Sequence, residues 1–212
     1  MTIDRRQHEE HVRSCLDAGA DVALMDEFRW FLRYRPETQR PGGRHFLFVG
    51  MNPSNAVRFA QCADGGDPTT GLVRDFLSQL EQPGYRDAAG IAGPVAGATL
   101  INLIPLVQGT SGKVRERWAA LPGDDREWAL ALTLDLAKEF IAGADVTVAM
   151  WGSGGGWKTP PARAFRELFA AHPERTVLAA RNGGGTPMHI KQYSALPWKG
   201  APLEPFPFKD AR

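Results

Sequence analysis

The chain has 212 residues, of which 43% are hydrophobic and 23% are charged, a composition typical of one globular domain with a substantial core. Its formal net charge of +1 differs from that of a strongly basic nucleic-acid-binding domain, although a local basic patch is compatible with it. Two cysteines, Cys15 and Cys62, are too few for a disulfide framework or a four-ligand zinc site, so we expect a cytoplasmic protein. No stretch approaches the roughly 20 apolar residues that span a bilayer, and no membrane association is expected.

The beginning of the sequence predicts a helix followed by a strand. Residues 1–25 mix charged and apolar side chains, and the predicted helix ends by about Asp17. Residues 27–35 alternate apolar and arginine side chains, which favours a half-exposed strand, although Phe31 breaks the alternation. The turn-forming residues 36–43 lead into the next strand, which allows a hairpin between the two strands.

Five arginines lie in and just after this predicted strand: Arg29, Arg33, Arg35, Arg40 and Arg44. Two interpretations of this cluster stay open at the level of sequence. The arginines could form the solvated face of the strand, or they could form a patch that contacts phosphate groups.

The segment of residues 45–56, HFLFVGMNPSNA, is the predicted centre of the fold. Its apolar run of residues 46–49 is typical of a buried parallel strand, and the turn-forming residues 50–55 follow at once. Because open α/β sheets bind ligands where their strands end in loops, residues 50–55 are the predicted active or binding loop. An ordinary exit from a strand is an equally good interpretation of these residues alone.

Downstream of this segment, predicted helices and strands alternate. Asp67 is a natural N-cap and Pro68 a natural first residue for the next helix, and capping alone explains the sequence DPTT. The further predicted strands are residues 98–106, 145–151 and 175–180, and the further predicted helices are residues 124–142 and 161–171. This alternation predicts an α/β fold of three layers, with a central, mainly parallel four-stranded sheet and an N-terminal strand or hairpin.

We expect a single domain over residues 1–212. Residues 1–25 are predicted to form a helical appendage, and the proline-rich residues 197–212 a tail that packs irregularly or not at all. Residues 108–113 are predicted to be a polar loop.

Polar residues are concentrated in the loops that follow the predicted strands. Asn102 interrupts an apolar strand, and an unpaired buried amide costs about 1–3 kcal/mol, so this residue must bond a neighbouring loop or a ligand. The run GSGGGWKT of residues 152–159 is close to a phosphate-binding loop, but Trp157 stands where that motif needs glycine. A looser anion contact by Lys158 or a flexible connection is the better interpretation. His189 follows a glycine-rich segment after the last strand, where it is a structural residue or a catalyst.

Five short motifs, in this order, resemble the domain of unknown function 1643 family of bacteria and phages. They are MNPSNA (51–56), DPTTGLVRDF (67–76), INLIPL (101–106), MWG (150–152) and GGGTPMHIKQY (183–193). The order and spacing make the joint match specific, although Met188 and Ile190 stand where the family tends to have arginine and proline. Membership of that family implies no established activity.

A more distant resemblance connects the chain with the uracil-DNA glycosylase superfamily. Residues 50–53 are similar to the G-I-N-P-G loop of its mismatch-specific members, residues 100–103 resemble its L-L-N strand end, and residues 151–152 resemble its W-G strand end. His189 falls where the H-P-S-P motif begins, although the residues after it differ. This resemblance implies a uracil-DNA-glycosylase-like fold, a four-stranded parallel sheet between helices.

The resemblance also implies a function, the recognition or cleavage of a flipped base in nucleic acid. Asn52 would position a water molecule and His189 would donate a hydrogen bond to the departing base, which makes these two the candidate catalytic residues. The candidate substrate-binding residues are Gly50, Met51, Pro53, Ser54, Asp67, Thr69, Asn102, Trp151, Gly152, Ser153 and Lys158. We expect a nucleic acid or nucleotide as the partner, with DNA favoured, and neither a metal nor another cofactor. A non-catalytic nucleotide or nucleic-acid binder and a base- or nucleotide-modifying enzyme are the alternatives.

Overall fold

The fold consists of one sheet and five helices in the described part of the chain. The structure is a computed structural model that describes residues 3–38, 40–59, 68–83, 89–108, 111–152, 159–181, 186–190 and 202–206. In these residues the helices are α1 (Arg5–Asp17), α2 (Pro68–Leu80), α3 (Ser111–Ala120), α4 (Gly123–Gly143) and α5 (Pro160–Ala171). The strands are β1 (Val22–Met25), β2 (Phe28–Tyr34), β3 (Arg44–Gly50), β4 (Val95–Asn102), β5 (Val146–Ala149), β6 (Val177–Ala179) and β7 (Glu204–Pro205).

The described strands form one mixed sheet of seven strands in the order β1-β2-β4-β3-β5-β6-β7. Strand β3 is parallel to β4 on one side and to β5 on the other, and β5 is parallel to β6. The β1-β2, β2-β4 and β6-β7 pairs are antiparallel. The predicted α/β class is therefore confirmed. A central four-stranded sheet with an N-terminal strand or hairpin was predicted, whereas the described sheet is mixed and has seven strands, because antiparallel strands extend it at both ends.

The alternation of side chains along β3 explains why helices cover both faces of the sheet. Phe46 and Phe48 pack in one hydrophobic cluster with side chains of α2, such as Phe76. Leu47 and Val49 point the opposite way, into a cluster that contains side chains of α1, α3, α4 and α5. Each of these side chains is at most 1% exposed, and burying a residue of this size stabilises the fold by about 1.5–3 kcal/mol.

The predicted hairpin between β2 and β3 is wrong. Strand β2 pairs with β1 and with β4, where Leu32 lies opposite Leu100. Because β4 and β5 occupy both edges of β3, β2 cannot pair with β3, and it joins the sheet at the outer edge of β4. Strand β2 is also more buried than the half-exposed strand that its alternation predicted, since five of its seven residues are buried, including Arg29 at 1% exposure.

Three further predictions need correction. Residues 22–25 are part of the sheet as β1 and not of a helical appendage, because their backbone pairs with β2. The predicted loop of residues 108–113 overlaps α3, which begins at Ser111. In the proline-rich tail, residues 204–205 pair with β6, and Leu203 and Phe206 beside them are buried, so this part of the tail packs regularly.

Candidate functional site

The carboxyl ends of β3, β4, β5 and β6 lie at one edge of the sheet, which we call the carboxyl edge. The register aligns Gly50 with Asn102 across the β3-β4 pair. It aligns Val49 with Ala149 across the β3-β5 pair, and β6 continues in the same direction beside β5. In open α/β sheets this edge is the usual place for a ligand, so the polar residues that follow these strands are the candidate site.

The loops that follow β3 and β4 are joined by backbone hydrogen bonds. The Leu103 N–H donates to the carbonyl of Gly50 at 2.9 Å, and the Ile104 N–H donates to the carbonyl of Met51 at 3.0 Å. Four residues later, the Gln108 N–H donates to the carbonyl of Pro53 at 2.8 Å. Because their backbone groups are mutually satisfied, the two loops form a single fixed unit at the carboxyl edge.

Asn52 is half-buried in this unit, and its amide nitrogen is held by two backbone carbonyls. The Nδ2 atom donates to the carbonyl of Gln108 at 2.6 Å and to that of Pro53 at 3.2 Å. An amide NH₂ has two hydrogens, so both are used within the loops. The Oδ1 atom has no hydrogen-bond partner in the described part of the chain and is left as a positioned acceptor.

The amide nitrogen of Asn102, unlike that of Asn52, has no hydrogen-bond acceptor among the described residues. Asn102 is 3% exposed, and its Nδ2 atom is buried. A Cβ atom at Gly50 would lie only 2.7 Å from Asn102 Oδ1, so the glycine at the end of β3 is what makes room for this amide. Leaving a buried donor unpaired costs about 1–3 kcal/mol, and such a cost is expected where the donor serves a ligand.

His189 lies beside Gly152, after β5, and beside the beginning of α2. Its Nε2 atom is 3.5 Å from Thr69 Oγ1, a contact at the outer limit of a hydrogen bond. Gly152 has a φ of 70°, and a Cβ there would lie 3.6 Å from His189 Cβ, so both its backbone conformation and its surroundings favour glycine. The structure thus brings three predicted residues, Thr69, Gly152 and His189, into one group.

Three predicted site residues, Trp151, Ser54 and Met51, stabilise the fold through packing or a turn hydrogen bond. The Trp151 ring is 1% exposed and stacks on Phe169 with centroids 6.4 Å apart, within the hydrophobic cluster of α4 and α5. Ser54 Oγ accepts a hydrogen bond from the Ala56 N–H at 3.3 Å, so it stabilises the turn after β3. Met51 packs against the same cluster as Trp151.

Three candidate site residues, Asp67, Ser153 and Lys158, lie outside the described residues. The prediction of Pro68 as the first residue of a helix is confirmed, since α2 begins there. Among the described residues, no group of three or more His, Cys, Asp or Glu side chains could hold a metal ion. No helix within the described ranges is long and apolar enough to cross a membrane.

Sequence reasoning missed the role of Arg29. Its buried guanidinium group donates from Nη1 to the carbonyl of Ala56 at 2.8 Å. Arg29 therefore fixes the far end of the loop that begins at Gly50. The partner is a backbone carbonyl 27 residues away, so nothing in the alternation of β2 indicated this bond.

Two histidines, the buried His8 and the half-buried His45, have lowered pKa values. Burial lowers the pKa of His45, at the opposite end of β3 from Gly50, and the charge of Arg33 lowers it further. Burial also lowers the pKa of His8, although Asp26 acts in the other direction. His8 Nε2 lies 3.2 Å from a carboxylate oxygen of Asp26 but does not have the geometry of a hydrogen bond. We therefore treat His8 as a neutral side chain at pH 7.

Comparison of the chain with protein-family models, with curated proteins and with solved structures finds no match in any of the three.

Proposed function

We propose that this chain is a uracil-DNA-glycosylase-like protein that receives a flipped base of nucleic acid, with DNA favoured, at the carboxyl edge and cleaves its bond to the sugar. In this proposal the four strands β3 to β6 correspond to the parallel sheet of that superfamily. The similarity of the G-M-N-P, L-I-N and W-G segments to its motifs supports the assignment. Their placement after β3, on β4 and after β5 is consistent with it.

The unpaired amide of Asn102 is the observation that carries the proposal. A base presents hydrogen-bond donors and acceptors along its edge, and an asparagine amide can pair with such an edge through both of its polar atoms. An incoming base with a carbonyl group facing Nδ2 would satisfy the buried donor. The cost of the unpaired donor, about 1–3 kcal/mol, would then be relieved by the base that fits and would favour it.

Asn52 and His189 have complementary tasks in the proposed cleavage. A water molecule that donates a hydrogen bond to Asn52 Oδ1 is held for attack on the anomeric carbon of the sugar. Its oxygen forms the new bond to this carbon while the bond between carbon and base nitrogen breaks, and the base leaves with the electron pair. The attacking water loses one proton to solvent, and the departing base anion takes up a proton from solvent. A hydrogen bond from His189 to the departing base stabilises that charge. Because an amide is no effective base, turnover is slow and depends on a good leaving group.

An assay for abasic sites tests the proposal directly. Single- and double-stranded oligonucleotides that carry uracil, a mismatch or a modified base are incubated with the full chain and cleaved with alkali. We expect strand scission at one type of base, with at least a tenfold lower rate in Asn52→Ala and no product in Asn102→Leu. Asn55→Ala, an exposed residue in the same loop, is the matched control and should react as the wild type does. Intact strands with every substrate would contradict the cleavage step.

A non-catalytic binder is the second candidate, and the chemistry of position 52 favours it. An asparagine whose two amide hydrogens are tied to Gln108 and Pro53 is a rigid loop residue as well as an acceptor. In that case, Asn102→Leu would lower the affinity for oligonucleotides that contain the target base, while Asn52→Ala would not. Binding measured without any released base would establish this candidate and exclude the first.

A further inference from the structure

A cavity of about 490 Å³ lies between the end of β2 and α2. We call it the arginine cleft. Five of the residues that line it carry the argument, Tyr34, Arg40, Arg58, Phe59 and Arg74. Its volume is within the range of about 300–1,000 Å³ that is usual for small-molecule sites.

The described lining of the cleft has an excess of positive charge, with five arginines against three carboxylate residues. Arg58 and Arg74 have no hydrogen-bond or ion-pair partner among the described residues. Arg40 Nη1 approaches Glu81 Oε1 only to 3.6 Å, and that oxygen already accepts a hydrogen bond from the Val95 N–H at 3.0 Å. Three guanidinium groups are thus weakly paired or unpaired in one concave surface.

The other two arginines of the lining are engaged elsewhere. Arg35 forms an ion pair with Asp21 at 2.6 Å. The Arg33 guanidinium lies over the Phe31 ring, 4.8 Å from its centroid, and 5.7 Å from that of Phe140, so it packs with the helix layer of α4. The functional charges of the cleft are therefore those of Arg40, Arg58 and Arg74.

An aromatic pair lies among these charges. The rings of Tyr34 and Phe59 are half-buried, with centroids 5.6 Å apart and planes inclined at 58°. Aromatic faces next to arginines are the combination that proteins use for single-stranded nucleic acid, where the rings stack with bases and the cations contact phosphates. Paired bases of a duplex are already stacked and cannot use such rings.

The arginine cleft lies toward the opposite end of the sheet from the carboxyl edge, since Tyr34 is aligned with Ala98, four residues or about 13 Å before Asn102 on β4. The segment of residues 50–59 connects the cleft with the carboxyl edge. This segment begins at the candidate site and ends with Arg58 and Phe59 in the cleft. Arg29 fixes its path by the hydrogen bond to the carbonyl of Ala56. A nucleic-acid strand that passes one nucleotide to the carboxyl edge has charged and aromatic contacts available along the same segment.

We propose that the arginine cleft binds the phosphodiester backbone of a single-stranded nucleic acid, a few nucleotides along the strand from the one held at the carboxyl edge. The choice of partner rests on the proposed function, but the inference requires no cleavage of a base. Arg40, Arg58 and Arg74 contact phosphates, and Tyr34 and Phe59 accept an unpaired base.

The test measures binding of the full chain to a fluorescent single-stranded 12-mer, as DNA and as RNA, by anisotropy between 50 and 200 mM KCl. The double variant Arg58→Ala/Arg74→Ala should bind at least tenfold more weakly at 50 mM KCl. The slope of log affinity against log salt should be less steep by about 1.4, or 0.7 for each lost phosphate contact. The control Arg6→Ala/Arg13→Ala removes the same charge from exposed positions of α1 and should keep both the affinity and the slope of the wild type.

Phe59→Leu keeps the positive charge and an apolar side chain, and it tests the stacking contact alone. We expect about fivefold or greater loss of affinity with an unchanged salt slope. Thermal unfolding of each variant shows whether it is folded. Equal binding by the wild type and by Arg58→Ala/Arg74→Ala, or no binding of any 12-mer by the wild type, would overturn the inference. Binding of vesicles that contain phosphatidylserine, without affinity for the 12-mers, would assign the cleft to a membrane surface instead.

The outcomes for the two sites are separable. If the arginine variants bind the 12-mer weakly and no base is ever released, the cleft is established and the cleavage proposal fails. If bases are released and the arginine variants bind and cleave as the wild type does, the cleft inference fails and the proposed function stands.

Discussion

Replacing Gly50 by alanine tests the packing on which the candidate site depends. The new Cβ atom would lie 2.7 Å from Asn102 Oδ1, closer than atoms in ordinary contact, so the amide or the backbone must shift. Overpacking of this kind costs about 1–3 kcal/mol. The lower backbone entropy of unfolded alanine recovers about 0.4–1 kcal/mol. We therefore expect a net destabilisation of about 1–2 kcal/mol, or a fall in Tm of about 2–8 °C for a chain of this size.

A double-mutant cycle in urea shows whether Asn102 causes that cost. In the background of Asn102→Ala the clashing oxygen is absent, and the effect of Gly50→Ala should shrink by about 1 kcal/mol. Gly112→Ala is the control, because a Cβ on this exposed glycine of α3 meets nothing within 4 Å, and it should be neutral or stabilising by up to about 1 kcal/mol. An unchanged cost of Gly50→Ala in both backgrounds would refute the packing of Gly50 against Asn102.

Three more predictions concern stability. Asn102→Leu removes an unpaired buried donor, so urea unfolding should show equal or higher stability although base recognition is lost, and a large destabilisation would mean that the amide has a partner. Because burial lowers the pKa of His8, the unfolded chain binds protons first, and stability should fall as the pH decreases from about 6.5 through the folded pKa. His8→Phe should reduce that loss in unfolding curves at pH 7.5 and 5.5, and an identical loss would exclude His8 as its source. Asp125→Asn weakens two hydrogen bonds from Arg5, at 2.9 and 2.7 Å, and should lower the free energy of unfolding in urea by about 1 kcal/mol. An unchanged free energy would show that this contact between α1 and α4 contributes nothing to stability.

The elements that the sequence predicted well are those whose stability is local. Helix α4 was predicted over residues 124–142 and extends over Gly123–Gly143, because its apolar positions recur at helical spacing along the whole segment. Helix α1 ends at Asp17 as predicted, next to Gly19 with a φ of 62°, a conformation that glycine adopts at little cost. In both helices the information that defines the element lies within it or a few residues beyond its end.

The elements that were missed owe their structure to partners elsewhere in the chain. Strand β1 has four residues and β7 has two, too few to show a periodicity, and each is held by pairing with an established strand. Helix α3 has only Val114 as a fully buried apolar side chain, so its sequence has little amphipathic pattern. The choice of β4 rather than β3 as the neighbour of β2 depends on which edges remain open once the parallel strands have paired.

The candidate site shows the same division between local and distant information. The polar residues after β3 and β4 are visible in the sequence, and their place at one edge of the sheet follows from the alternation of elements. The register that aligns Gly50 with Asn102 is known only from the structure. The sequence does not show which hydrogen bonds each asparagine amide forms, because these bonds depend on single atoms from distant segments. The carbonyl of Gln108, 56 residues from Asn52, is what ties one amide, and the missing Cβ of Gly50 is what gives the other its room.

The two asparagines of the carboxyl edge differ in which polar atom remains available, and under the proposed function this difference constrains the ligand. Asn52 has used its donor hydrogens and offers an acceptor, so the group that faces it must donate, as a water molecule or a hydroxyl does. Asn102 has an unused buried donor, so the group that faces it must accept, as the carbonyl oxygen of a base does. A base with an amino group in place of that carbonyl would set two donors against each other and leave both unsatisfied. Discrimination of about 1–3 kcal/mol between such bases is therefore expected from Asn102 alone, before any chemical step.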